Sequence, residues 1–321
     1  VVSHQQSPQP SRGLDIGTWS ALVVIVAFTV GAIAWAGMKF SSVPTATMEQ
    51  REALQAVQTP RPGDADAIPG SGQPPGSPNV VRVPSFAPWA PGTLIQSTSS
   101  YPRPGEMFTA QSCTVAFSFS NAEGRYFAVT AGHCGKEGDL VWPTNAATAQ
   151  DFSHEAGRFI YSGLYSAGAP DIDVAIIEIT DPERYMDLVG QPIEAGIAEQ
   201  LAHSPGRICK TGGTTGYTCG QFQQAGRVQI ITTGADNTRE TKGDIAAVCA
   251  SKGDSGGPVF QDVNGRATII GVVSGTEAGR SGEECFEGMD NPRLMSYSNV
   301  EQTMQVLNSV VPDAQWELKY W

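Results

Sequence analysis

Three side chains, far apart in the chain, have the types and settings needed for nucleophilic attack on a carbonyl carbon. Ser255 stands in Gly253-Asp254-Ser255-Gly256-Gly257-Pro258, His133 in Thr130-Ala131-Gly132-His133-Cys134, and Asp173 directly before Val174-Ala175-Ile176-Ile177. A serine hydroxyl is a weak nucleophile until a base takes its proton. An imidazole is that base near neutral pH, and a buried carboxylate holds its tautomer and stabilises the imidazolium.

The tetrahedral oxyanion formed by such an attack needs hydrogen-bond donors already in place. Glycine lets backbone amides turn toward it, so the Gly253 and Ser255 amides are assigned to an oxyanion hole. Two aspartates compete for the orienting role. Asp173 is chosen because it stands where a strand enters the core, one pleat period inside Asp171. His4, His154 and His203 lie in polar stretches and read as solvated surface.

The elements that must position these groups read as strands. From about Glu106 onward, short runs rich in β-branched and aromatic residues recur between Gly and Asn punctuation; examples are 114–119, 126–130, 174–179, 227–232 and 268–273. Val300, Met304, Leu307 and Val311 fall at helical spacing and predict one amphipathic helix near the end. The expectation is an all-β barrel or sandwich closed by a helix.

Thr-Ala-Gly-His-Cys, Asp-Val-Ala-Ile-Ile and Gly-Asp-Ser-Gly-Gly-Pro, in that order, resemble the chymotrypsin-like serine proteases. Cys209-Lys210-Thr211-Gly212-Gly213-Thr214-Thr215-Gly216 and Cys249-Ala250-Ser251-Lys252-Gly253 resemble the bacterial streptogrisin and alpha-lytic branch, over about residues 106–311. Chain order agrees. An α/β-hydrolase elbow needs a histidine after the serine, and none follows Ser255; subtilisin order needs an aspartate before histidine within the folded part.

The resemblance implies two packed six-stranded antiparallel β-barrels with the triad in the cleft between them. It also implies disulfides Cys113–Cys134, Cys209–Cys219 and Cys249–Cys285. In that branch an internal basic residue neutralises the aspartate before the serine, which points to a Lys210–Asp254 ion pair; the family usually has arginine there, and lysine lacks the bidentate fork. The pocket for the residue before the scissile bond is implied at Ala247 to Ala250, Ser274, Gly275 and Thr276, and Met295 to Tyr297. No carboxylate stands at its floor, Ala247, so apolar or medium-sized side chains are expected rather than Arg or Lys. The loop from Glu277 to Asp290 is longer than the family's compact version, and its five acidic residues read as solvated surface.

The rest of the chain bounds location and partners. Residues 1–17 are a short tail, and 18–38 form an almost wholly apolar stretch of about the 20 residues that span a bilayer. An uncleaved transmembrane anchor is favoured over a signal peptide, for which Ala34-Trp35-Ala36 would be the cleavage site. Residues 39–105 are rich in Pro, Gly, Ser and Thr and read as a disordered spacer, leaving 106–321 as the catalytic domain. The six cysteines include no C-x-x-C pair, which argues against a zinc site and for disulfides in an oxidising compartment. A formal charge of -12 excludes a nucleic-acid partner. The expected whole is a monomeric, membrane-tethered endopeptidase outside the cytoplasm, secreted if the anchor is cleaved, without metal or cofactor, acting on peptides or proteins. The rival is a catalytically silent binding module on the same fold.

Overall fold

The structure is a computed structural model that describes residues 80–83, 89–103, 107–189, 195–198, 206–233, 237–263, 266–277, 280, 283–315 and 317–319. Strand β1 (Val80–Val83) is followed by seven strands of a first sheet. These are β2 (Leu94–Thr98), β3 (Gln111–Thr114), β4 (Phe117–Ser120), β5 (Tyr126–Thr130), β6 (Leu140–Pro143), β7 (Gly157–Ser162) and β8 (Ala175–Ile179), in the order β3-β2-β6-β7-β8-β5-β4. A one-turn α1 (Ala146–Ala149) lies between β6 and β7.

β3 and β4 are two arms of one bent strand. At the bend, the Val115 amide donates to the Thr93 carbonyl on the β2 side and the Ala116 amide to Val129 in β5. The two ends of the sheet are thereby joined through Val115 and Ala116, and the barrel has six sides. A closed sheet leaves no long unpaired edge.

The second sheet contains β9 (Ala195–Ala198), β10 (Arg207–Gly212), β11 (Gly216–Thr233), β12 (Asn237–Ala247), β13 (Pro258–Val263), β14 (Arg266–Thr276), β15 (Leu294–Asn299) and β16 (Glu317–Lys319). Its order is β13-β10-β11-β12-β15-β14-β9-β1-β16, and β13 also pairs with β14. That extra pairing closes β10 to β15 into a six-stranded ring. β9, β1 and β16 extend it outward, with β9 running parallel to β14.

Each barrel has its own apolar interior. Trp89, Ile95, Val115, Val141, Phe159 and Ile177 fill the first; Ile208, Ala246, Val259, Ile270, Met295 and Tyr297 fill the second. A further core joins them, in which Phe117, Val129 and Ile176 meet Ile269, Val272 and Leu307. Leu307 belongs to the expected helix, α2 (Val300–Val310), whose start is fixed by a capping box: Gln302 N donates to the Asn299 side chain at 3.1 Å, and Asn299 N to Gln302 Oε1 at 3.0 Å. Both reciprocal bonds satisfy amides that the first turn leaves without partners.

Two boundaries differ from the sequence expectation. The folded part does not wait until residue 106, since β2 sits between β3 and β6 with both its faces largely buried. Pro91-Gly92 and Pro102 around it carry the composition of a spacer, and only the unpaired ladders of β3 and β6 reveal the need for a strand. β1 likewise falls inside 39–105 and pairs with β9 and β16. The apolar stretch 18–38 and the rest of the spacer lie outside the described residues; among the described residues no helix is long and apolar enough to cross a membrane.

Candidate active site

β5 ends at Thr130, and the chain turns through a short 3-10 segment, Gly132–Cys134, that presents His133. The turn is held carbonyl by carbonyl: Gly132 O accepts from Ser162 Oγ (2.8 Å), His133 O from Gln111 Nε2 (3.0 Å) and Cys134 O from Ser97 Oγ (2.5 Å). The Cys113–Cys134 disulfide ties it to β3. Sequence reasoning passed over Ser97, Gln111 and Ser162, whose polar side chains on strands give no signal of their targets.

Register brings the carboxylate to the imidazole. Thr130 pairs with Ala175 at the end of the β5–β8 ladder, so the next residues out, Gly132 and Asp173, lie side by side. A methyl group on Gly132 would stand 3.1 Å from Asp173 Oδ1, and its absence lets the two segments close. His133 Nδ1 lies 2.9 Å from Asp173 Oδ2 and 3.1 Å from Oδ1, and the His133 amide donates to Oδ1 at 2.8 Å. Because a carboxylate only accepts, Nδ1 carries the proton and Nε2 is left as the base. Asp173 is fully buried, and its carbonyl accepts from Ser298 Oγ at 3.2 Å. Burial pushes the His133 pKa down, the Asp173 charge and hydrogen bond push it up, and the net value is raised above that of an ordinary imidazole. Asp171 is exposed, with its carbonyl accepting from Thr241 Oγ1 across the barrels.

The serine loop is gripped from the first barrel. Thr114 N donates to the Ser255 carbonyl (2.8 Å), Thr114 Oγ1 donates to the Gly253 carbonyl (2.8 Å) and accepts from Gly213 N (3.0 Å). Gly256, at φ +85°, packs so closely that a methyl group would lie 2.0 Å from Thr130 Oγ1 and 2.2 Å from the Thr114 carbonyl oxygen. These contacts set Ser255 beside the turn that carries His133. Ser255 Oγ makes no hydrogen bond to any described residue, His133 included; the nucleophile–base bond is one that substrate-free sites commonly leave long. Gly253 has φ +95°, and neither its amide nor that of Ser255 donates to a described residue.

Beneath this loop Lys210 and Asp254 are both fully buried, with Nζ 3.2 Å from Oδ2. Nζ also donates to the Gly216 carbonyl (2.8 Å) and to Thr215 Oγ1. Asp254 accepts in addition from the Thr214, Thr215 and Ser251 amides and from Thr215 Oγ1. Burial pushes the Lys210 pKa below that of an ordinary lysine, against the upward pull of Asp254. Such a pair adds little net stability but is costly to break from one side.

The expected pocket residues divide. Gly275 and Thr276 line a cleft of about 450 Å³, joined by Glu277, Leu294, Ser296, Ile245 and the 227–231 stretch of β11, which includes Arg227 and Gln229. Ala247, Ser274 and Tyr297 are not part of its lining. Tyr297 is fully buried in the second barrel's core, because the pleat of β15 turns Ser296 to the cleft and its neighbour inward. Burial and the Asp244 charge keep its phenol neutral. The acidic loop is largely paired: Glu277 and Glu283 meet Arg280, and Glu287 meets Arg207. Arg293, which the sequence reading missed, is fully buried behind this wall and donates to the Ala250 carbonyl and Ser251 Oγ, both at 3.0 Å, and to the Glu283 carbonyl. The cysteines pair as the resemblance implied. Among the described residues, the metal-like cluster Cys113, His133 and Cys134 is spoken for by the first disulfide. His154, also described, pairs with Asp181 at the surface.

Two closed barrels, with these groups at their junction, have the chymotrypsin fold. The family profile described as Trypsin matches residues 108–289, over half of the chain, and the protein belongs to that family. Streptogrisin-C of Streptomyces griseus is 29% identical over 188 residues, which cover 58% of this chain and 37% of that protein. The chain thus spans well under half the length of that relative. Among solved structures, Thermobifida fusca protease A is similar at 20% identity and a TM-score of 0.46, covering 71% of this chain and 98% of that one. Nocardiopsis protease is similar at 24% and 0.44, covering 69% and 96%.

Proposed function

We propose that this protein hydrolyses peptide bonds outside the cytoplasm through His133, Asp173 and Ser255. His133 Nε2 takes the Ser255 proton as Oγ attacks the scissile carbonyl. Asp173 steadies the imidazolium, and the Gly253 and Ser255 amides receive the oxyanion. The imidazole then returns the proton to the leaving amine, and water repeats the sequence to free the acyl group. The observation that carries this reading is the His133–Asp173 contact at 2.9 Å, set beside a serine loop whose Gly253 and Ser255 amides donate to no described residue.

The pocket beside Gly275 and Thr276, walled in part by Ile245 and Leu294, takes apolar or medium-sized side chains before the scissile bond. The Lys210–Asp254 pair holds the serine loop in place of a charged amino terminus. Three disulfides support an oxidising location. The stretch 18–38 tethers the single-chain enzyme to the membrane, or is removed to release it.

A serine-directed fluorophosphonate probe should label the folded protein, and Ser255→Ala should abolish both labelling and peptide hydrolysis. Absence of label on folded wild-type protein would instead favour the silent binding module.

A further inference from the structure

Ser298, in β15, is fully buried and is flanked in sequence by Tyr297 of the second core and Asn299 of the α2 capping box. Asp173, on the first barrel, is the middle residue of a three-residue turn that Val174 N closes onto Ile172 O at 2.8 Å, a turn common at the ends of strands. The carbonyls on either side are used within the first barrel, Ile172 O by Val174 N and Val174 O by Gly163 N at 2.8 Å. Among the described residues the Asp173 carbonyl has no donor in its own barrel, and a buried carbonyl left without one is costly. Ser298 Oγ supplies the bond at 3.2 Å, from 125 residues along the chain. No other described group of the second barrel bonds Asp173.

A carbonyl only accepts, so Ser298 gives its hydroxyl proton to Asp173, and the Ser274 hydroxyl, 3.4 Å from Ser298 Oγ, is the donor in that second contact. Ser274 is buried at the bulge of β14 between Val273 and Gly275. Val273 holds the serine loop by both its backbone groups, accepting from Gly256 N at 2.8 Å and donating to Gly257 O at 2.9 Å. A short chain thus runs from the loop of Ser255 through two hydroxyls to the residue that orients His133. We infer that Ser298 is a positioning residue for the triad: its hydroxyl fixes Asp173 on the first barrel against the serine loop on the second, so that His133 meets Ser255 in attacking geometry. The inference rests on the peptidase reading above and deepens it, giving Ser298 no contact with substrate. A reacting group displaced by about 1 Å can lose about a hundredfold in rate, so the hydroxyl acts on turnover rather than on substrate affinity.

Ser298→Ala would be compared with wild type by kcat and KM for one peptide as a function of pH, by melting temperature, and by an NMR titration of His133. We expect kcat to fall about tenfold or more with KM within about twofold of wild type. Asp173 is the charged group whose field and hydrogen bond raise the His133 value, so the titration midpoint should drop toward about 6.5 and take the rising limb of kcat/KM with it. A hydroxyl that served stability alone would lower the melting temperature and move neither. Ser298→Cys, of nearly the same shape with a weaker donor, should shift kcat and the midpoint the same way by less, and stands in if the alanine variant does not fold. Should neither fold, a wild-type crystal structure decides: a Ser298 hydroxyl bonded to the Asp173 carbonyl upholds the inference, and one turned elsewhere overturns it. Unchanged kcat and midpoint in folded Ser298→Ala overturn it as well. Wild-type protein that cleaves no peptide overturns the peptidase reading instead, and the His133 titration, which needs no turnover, still judges Ser298.

Discussion

At the scale of single residues, the His133–Asp173 contact controls the pH response. The raised His133 value means that the ion pair favours the fold below about pH 6.5 and fades as pH climbs through the raised value. Activity moves the opposite way, because the neutral imidazole is the base. The rate should therefore rise with pH along a limb centred above 6.5, measurable as kcat/KM against pH. Asp173→Asn should move that limb downward and reduce kcat by about 10⁴, the loss known for the corresponding change in a comparable triad. A flat profile from pH 5 to 9 would remove His133 from its role. Lys210→Ala leaves Asp254 buried with its amide donors but no cation. We expect a loss of about 3 to 5 kcal/mol, read by denaturant unfolding, together with loss of turnover; unchanged activity would dismiss the pair as a support of the serine loop.

At the scale of elements, the site is a junction of ends and bends: the close of β5, the approach to β8, and the bend between β3 and β4 that carries Thr114. Thr114→Val keeps shape and volume but removes the bonds to Gly253 and Gly213. The cost should be about 1 to 3 kcal/mol of stability, with kcat reduced more than KM raised, since the loop it grips acts on the transition state. Equal loss in both would show that Thr114 serves binding instead. At the far end of β15, the capping box predicts that Asn299→Ala lowers stability by about 1 kcal/mol in thermal or chemical melts, without changing the pH profile.

At the scale of the whole molecule, the first barrel includes residues that composition assigns to a spacer. A chain trimmed to start at Glu106 lacks β2 and leaves the ladders of β3 and β6 exposed. It should be insoluble or unfolded by circular dichroism, whereas the chain retaining residues from Val80 should fold. Folding of the shorter chain would contradict the six-sided closure. The disulfides span 21, 10 and 36 residues. Loss of a native disulfide typically costs 2 to 5 kcal/mol, so reduction should lower the melting temperature markedly.

Much of this protein could be read without coordinates. The His133, Asp173 and Ser255 settings, the all-β class and the closing helix were legible because each depends on neighbours in sequence: a glycine beside a reactive group, an apolar run, a helical period. The disulfide pairs and the Lys210–Asp254 contact came from resemblance, not from spacing. Tertiary structure alone decided that β2 completes a barrel, that Tyr297 points into a core while Ser296 meets the cleft, that Thr114 grips the serine loop, and that Arg293 is buried with no counterion among the described residues. These are matters of which strand lies beside which and which way a pleat faces. They arise from closing the sheets, a constraint between residues tens to hundreds of positions apart that no local pattern records.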